Sequence, residues 1–478
     1  MRKGILFKKG IIIALAAAMA TASAPIMVMN GWGVLTAKAE ETESHNYNAQ
    51  GFCTECDAYQ PAILTTDKYD INEDGTKDAV YEISNAGQLY WFAGLVNGTL
   101  SGVAQNKSAN VVLTADIVVN ENVLKSDGTL NDGAFREWTP IGTGETSPNV
   151  YTGTFDGRNY TISGLYFNQE NSYDIGLFGC NSGKIANAGI LDSYFYGTSN
   201  VGGVNGYNDG GTITNCYNTG SVSGIGSVGG VSGYNYTGRI TDCYNTGNVS
   251  GSQDFVGGVN GLNKGTITNC YNAGSVSGNG NVGGENGLNY TGSITDCYNI
   301  GSVSGSEDNV GGVNGYNDGG TITNSYNAGS VSGTERYVGG VSGCNKGNIT
   351  NGYNAGSVSG TGYVGGVSGE NYGGTITSCY YDSTIYTGNA IGKNSSGTIT
   401  KVEGKTTEQY KTGEVAYLLQ DGQAEEVWGQ LIGTDTYPVL HGAKVYKNIT
   451  YLGCNDSSDV VSVAYSNEDK TTYGDHDY

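Results

Sequence analysis

The segment Val201-Gly202-Gly203-Val204-Asn205-Gly206-Tyr207-Asn208 runs on through Gly211-Thr212-Ile213-Thr214-Asn215-Cys216-Tyr217-Asn218 to Gly220-Ser221-Val222-Ser223-Gly224, and the whole unit then returns. Cys216-Tyr217-Asn218 recurs as Cys243-Tyr244-Asn245, Cys270-Tyr271-Asn272 and Cys297-Tyr298-Asn299, a period of 27 residues. After one 28-residue step it continues as Ser325-Tyr326-Asn327, Gly352-Tyr353-Asn354 and Cys379-Tyr380-Tyr381. Val-Gly-Gly recurs alongside, from Val201 through Val228, Val256, Val282, Val310, Val338 and Val364. Seven units are plain; Ile175-Gly176-Leu177-Phe178-Gly179 reads as a divergent unit before them, and Ala390-Ile391-Gly392 opens a partial one after them. About nine coils are therefore expected, with irregular ends as solenoids require.

Each unit reads as three short strands broken by Gly and Asn, with no helical periodicity. A propeller blade needs roughly 40 residues or more, so the shorter period favours a β-solenoid coil. The expected fold is all-β: a right-handed parallel β-solenoid with small mixed capping segments, forming a rod on the order of 43 Å long. Val201, Ile213, Val222 and their equivalents are the expected inward ladders, and Asn218, Asn245, Asn272, Asn299, Asn327 and Asn354 an amide ladder at a corner. The Tyr and Cys columns stay open. Strict alternation from Ile213 puts Tyr217 inside and Cys216 outside, whereas a corner between Thr214 and Asn215 reverses both. The Cys column reads as small packed residues or as disulfide pairs between coils; a one-dimensional column does not converge on a metal.

These units resemble the GLUG motif repeat, although Val-Gly-Gly-Val stands where that family usually has Gly-Leu-Val-Gly; Gly176-Leu177-Phe178-Gly179 is nearer. The resemblance implies an exported bacterial surface protein, adhesin-like in type, with similar repeats also found in some immunoglobulin A peptidases. Glu137-Trp138-Thr139-Pro140-Ile141-Gly142 and Gly153 to Ile162 resemble the lead-in before such repeats, and Trp428-Gly429-Gln430 with Tyr437-Pro438-Val439-Leu440 the closing segment. Ser84 is the expected cap of a helix with Leu89, Phe92, Ala93 and Val96 on one face, and Thr407 to Leu419 reads as one short helix.

With 80 Gly, 5 Pro and 36 Tyr in 478 residues, the chain is neither collagen-like nor a plain disordered linker. Its net charge of -22 opposes nucleic acid and anionic lipid. Arg2, Lys3, Lys8 and Lys9 precede the apolar run Ile11 to Ala20, and Ala37-Lys38-Ala39 supplies a cleavage site: an export signal, with no membrane insertion after cleavage. Removal of residues 1–39 takes five basic residues and moves the charge from -22 to -27. The expected organisation is a signal peptide over 1–39, a Cys/His-containing module over 40–66, a lead-in over 67–170, the repeats over 171–403 and a cap and tail over 404–478. The expected protein is secreted or extracellular and surface-associated, and acts as an adhesin-like module or stalk toward a host protein or glycan. His476-Asp477-Tyr478 echoes His45-Asn46-Tyr47, as if a further module began there.

Candidate chemistry is sparse. Asp70, Asn72, Asp74, Thr76 and Asp78 follow the opening spacing of an EF-hand-like calcium loop, with Gly75 at the turn; Tyr81 stands where a bidentate Glu is expected and Glu82 is one residue late. Calcium and a solvated polar turn are both open readings, and no other cofactor is called for. His45, Cys53 and Cys56 are a candidate zinc half-site that lacks a fourth ligand, or Cys53 and Cys56 a local disulfide, or one of them a partner for Cys454. Gly224 to Gly229 and Gly278 to Gly283 spell a dinucleotide-binding pattern only because the coil recurs, with no helix following. The three histidines, His45, His441 and His476, lie outside the coils, and no nucleophile elbow or zincin helix is present. A non-enzyme is the expectation, with a polysaccharide-active β-helix enzyme as the alternative.

Overall fold

The computed structural model describes residues 28–30, 33–35, 45–143, 149–452 and 459–473. The chain divides into two compact units, Met1–Asn46 and Tyr47–Tyr478. In the first, Val28–Asn30 pairs antiparallel with Gly33–Leu35. The export-signal expectation falls on this unit, mostly outside the described residues, and Cys454 and His476 also lie outside them.

The second unit is a parallel β-solenoid whose coils pair in register on three faces. On one face Ile213, Ile240, Ile267, Ile294, Ile322, Ile349 and Ile376 are successive Cα partners. On a second face Val201, Val228, Val256, Val282, Val310, Val338 and Val364 pair likewise, as do Val222, Val249, Val276, Val303, Val331 and Val358. The Ile column is at most 2% exposed. Each such side chain withdrawn from water contributes roughly 1.5–3 kcal/mol. A coil buries its apolar atoms only against its neighbours, which is why the motif must repeat.

The stack runs to about 12 turns rather than nine. Val111 pairs with Phe155, Phe155 with Ile185 and Ile185 with Ile213, and the strand Asp78–Ile83 pairs in parallel with Asn110–Leu113 before them. The lead-in therefore supplies rungs of the same column, with a helix and long loops inserted between them.

The third face is a nine-stranded sheet from Phe178–Asn181 to Ile391–Ser395, carrying the repeated Asn-Gly-X-Asn or Ser-Gly-X-Asn strands. Its closing asparagines form a second amide ladder that the sequence reading missed. Asn208 Nδ2 donates to Asn235 Oδ1 at 2.9 Å, Asn235 to Asn263 at 2.9 Å and Asn263 to Asn289 at 2.9 Å. The expected ladder is also present: Asn218 Nδ2 donates to Asn245 Oδ1 at 2.9 Å, and Asn245 to Asn272 at 2.9 Å. Each of these amides also closes its own corner, since Asn218 accepts from Gly220 N–H and donates to Gly220 C=O. The amides of these two ladders are thus paired along the rod, whereas Asn205 keeps both amide atoms buried without a partner. Gly230 makes room for this: a Cβ there would meet the Gly258 carbonyl and the Asn245 side chain.

The corner between the Ile strand and the Tyr-Asn strand corrects the strict alternation. Asn215, Asp242, Asn269, Asp296, Asn324 and Asn351 all take positive φ, between 50° and 56°. Asn and Asp tolerate this left-handed conformation better than other side chains. The bend turns Cys216 inward, at 0% exposure, and leaves Tyr217 half-buried at the surface.

At the N-terminal end, α1 (Ala86–Asn97) buries Leu89, Phe92, Ala93 and Val96 as expected. Its cap is Asn85, not Ser84: Asn85 accepts from Gln88 N–H, while Ser84 bonds the Gln88 side chain. At the other end the single expected helix is two, α2 (Thr407–Lys411) and α3 (Glu414–Gln420), divided at Gly413 with φ 87°. Tyr410, Trp428 and Tyr437 from this cap pack around Tyr353, whose hydroxyl donates to Pro438 C=O at 2.7 Å.

Candidate functional site

The rod carries two sets of surface tyrosines. The first is the repeated column Tyr217, Tyr244, Tyr271, Tyr298, Tyr326 and Tyr353, whose rings stack at centroid separations of 4.8–5.0 Å and within 7° of parallel. Stacked in this way, the rings offer partners their edges, and the C-terminal cap covers the last of them.

The second set lies on the nine-stranded face and is irregular. Its outward column reads Cys180, Tyr207, Tyr234, Leu262, Leu288, Tyr316, Cys344, Glu370 and Lys393 in consecutive coils. Tyr290 and Tyr372 at the ends of their strands, and Tyr236 just beyond its own, add rings that are 39–54% exposed. Lys264, in the short turn Asn263-Lys264-Gly265, holds its ammonium 5.8, 5.4 and 5.0 Å from the ring centres of Tyr234, Tyr236 and Tyr290. Lys346, in the equivalent turn Asn345-Lys346-Gly347, sits 5.0 Å from Tyr316 and 5.4 Å from Tyr372. The phenol beside each keeps both lysines charged, with pKa values above the ordinary range. Cation–π contacts of this kind hold a long side chain in place at a surface. The face therefore offers ordered ammonium groups among accessible aromatic rings, chemistry suited to polar ligands with apolar faces. This face does not read as a repeat because its column changes identity from coil to coil; the Asn-Lys-Gly turns are its signal in the sequence.

The calcium-loop residues do come together. Asp70 accepts from Asp74 N–H at 3.1 Å and Gly75 N–H at 2.9 Å, Asn72 from Asp74 N–H at 3.1 Å, and Asp78 from Ile71 N–H at 2.9 Å. Asp74 accepts from the Thr76 hydroxyl at 2.6 Å and from Thr76 N–H at 2.8 Å, and these bonds lower its pKa. Glu82 is not brought in: it binds Lys68 and, at 2.6 Å, the Tyr69 hydroxyl. Cys53 and Cys56 are joined as a disulfide, whereas His45 falls in the N-terminal unit. The coil cysteines Cys216, Cys243, Cys270, Cys297 and Cys379 are buried free thiols, so the inter-coil disulfides do not form. Cys216 N–H instead points at Cys243 Sγ, 3.4 Å away.

One core position departs from its column. Glu285 stands among Val231, Val259, Val313 and Val341, fully buried, its backbone bonded to Val259 and Val313. Neither carboxyl oxygen has a hydrogen bond of good geometry. Burial raises its pKa far above the carboxylate range, and the nearby Cys297 and Cys243 thiols add to this. The carboxyl is therefore neutral, at a cost in stability.

Residues 224–250 match the GLUG motif, and the matched segment spans one 27-residue unit of the coil. The chain thus carries a GLUG motif within its β-solenoid. A 152-residue stretch, 31% of the chain, is 31% identical to halomucin of Haloquadratum walsbyi; that match spans 2% of the relative's length. A Bacteroides ovatus crystal structure described as a candidate immunoglobulin A1 protease aligns over 76% of this chain and 92% of its own, at 21% identity and a TM-score of 0.38. A likeness at that level carries no argument about activity. Among the described residues no helix is long and apolar enough to cross a membrane, which says nothing of a β-barrel.

Proposed function

We propose that the chain is an exported, extracellular repeat protein that acts as an adhesin-like binding module, with the solenoid as a rigid stalk and the irregular tyrosine–lysine face engaging a glycan. The observation that carries this reading is the pair of lysines, Lys264 and Lys346, each held among tyrosine rings on one face of the rod. Aromatic rings pack against the C–H faces of sugars, while ammonium and amide groups bond their hydroxyls. Two such clusters on one rigid rod favour multivalent contact with a polymer. A glycan array probed with the full chain, and with Tyr236→Ala/Tyr290→Ala, tests it: the reading expects signal that the double variant weakens. No glycan signal would overturn it, and turnover of a polysaccharide would favour the enzyme alternative.

The Asp70–Asp78 loop is proposed to bind calcium as a brace for the N-terminal end. Its oxygens already share one turn, and of Asp70, Asn72, Asp74 and Asp78 three are anionic. Calorimetric titration with calcium, with Asp74→Ala as control, should show heat in the parent only; absence of heat would leave a polar turn.

A further inference from the structure

The outward column of the nine-stranded face narrows abruptly at one coil. Tyr316 is followed by Cys344, and Cys344 by Glu370. The small Cys344 side chain leaves a recess of about 330 Å³ between its larger neighbours. Tyr316, Tyr337, Tyr372, Lys346, Asn309 and Glu370 line it with Cys344. Burial pushes the Cys344 thiol up to about 12, so it is a neutral wall and not a nucleophile.

The charges of the recess are unequally matched. Glu370 is 4% exposed, and its Oε1 accepts from Lys393 Nζ at 2.8 Å and Ser395 Oγ at 2.9 Å. Burial would raise its pKa, but the bonds from Lys393, Ser395 and Tyr337 outweigh burial and hold it below the ordinary value. Glu370 is therefore an ionised group whose charge is already met. Among the described residues Lys346 has no ion pair; Asp318 lies near enough to bias it but does not line the recess. What remains is one unneutralised ammonium beside accessible aromatic rings, in a protein of net charge -22.

We propose that this recess is a subsite for one acidic sugar residue, a uronic or sialic acid within a glycan, with its ring against Tyr372 and its carboxylate on Lys346. The proposal rests on the glycan-binding reading above and adds to it the class of sugar and the place. A carboxylate completes the charge that the recess leaves open, and a charge-assisted bond of this kind is worth about tenfold in affinity.

The test uses the full chain and two probes, methyl β-glucuronide and methyl β-glucoside, with binding read by saturation-transfer NMR at millimolar sugar. The glucuronide is expected to bind about tenfold more tightly than the glucoside, with the advantage shrinking in salt. Lys346→Gln should remove that preference. Cys344→Leu should abolish binding of both sugars without loss of fold, because Leu262 and Leu288 already occupy the same column position. Tyr372→Ala, at a 54% exposed site, provides a second loss-of-binding variant that does not depend on the core. Equal binding of the two sugars would overturn the acidic class and leave the glycan reading standing. Unchanged glucuronide binding in Cys344→Leu, or none in the parent, would overturn the subsite. Glucuronide binding without any array signal would uphold the subsite and overturn the adhesin reading.

Discussion

The two sets of tyrosines on this rod use one residue type in opposite ways. In the Tyr217–Tyr353 column every coil presents the same ring at the same angle, 4.8–5.0 Å apart, and the last ring is sealed beneath the C-terminal cap. On the nine-stranded face the rings meet at mixed angles, Tyr207 against Tyr234 at 66° and Tyr207 against Tyr236 at 26°, with lysines between them. A position that repeats in a solenoid is constrained by the copy above and the copy below. Where the column stops repeating, that constraint is relaxed and the surface is free to serve a ligand. Regularity marks what holds the rod together; irregularity marks what it presents.

The largest expected effect tests the regular half. Ile267→Ala removes a fully buried side chain between two identical neighbours and should cost roughly 2–5 kcal/mol in denaturant unfolding. A cost under about 1 kcal/mol would mean that the column does not carry the fold.

Glu285→Val restores the column and should raise stability by roughly 1–3 kcal/mol near neutral pH. The sign follows from linkage. The raised native pKa means that the folded state keeps its proton while the unfolded carboxyl ionises near its ordinary value of 4.5. The parent therefore loses stability as pH rises above 4.5, until the native group ionises too. The variant should lack this part of the pH dependence. Equal pH profiles in urea melts would show that Glu285 is not held neutral.

A smaller effect belongs to the stacked rings. Tyr271→Ala should cost roughly 0.5–1.5 kcal/mol beyond the area it uncovers, and should leave sugar binding unchanged.

Sequence and structure agree where repetition speaks for itself. Ile213, Val222 and Asn218 announce their ladders because each returns at the coil period, and the packing demand behind each is the same in every coil. The inward turn of Cys216 was not legible from alternation, because a single left-handed Asn215 reverses the parity; the Asn or Asp before each Cys-Tyr-Asn was the available clue. The extra coils escaped because Val111 and Phe155, partners in space, are separated by a long excursion and share no motif with the repeats. The second amide ladder was overlooked although Asn208, Asn235 and Asn263 keep the period. The tyrosine–lysine face escaped for the opposite reason. Tyr234, Leu262, Leu288, Tyr316 and Cys344 share one column but no residue type, so their relation appears only once the register is known.

The contrast itself is tested most directly by two triple variants of the full chain, each assayed for melting temperature and for glycan-array binding. Tyr234→Ala/Tyr236→Ala/Tyr290→Ala empties the irregular cluster around Lys264; Tyr244→Ala/Tyr271→Ala/Tyr298→Ala empties the regular stack. The first is expected to lose binding with little change in melting, and the second to melt several degrees lower yet bind as the parent does while folded. The reverse pattern, with binding lost from the regular stack and stability lost from the irregular cluster, would contradict it.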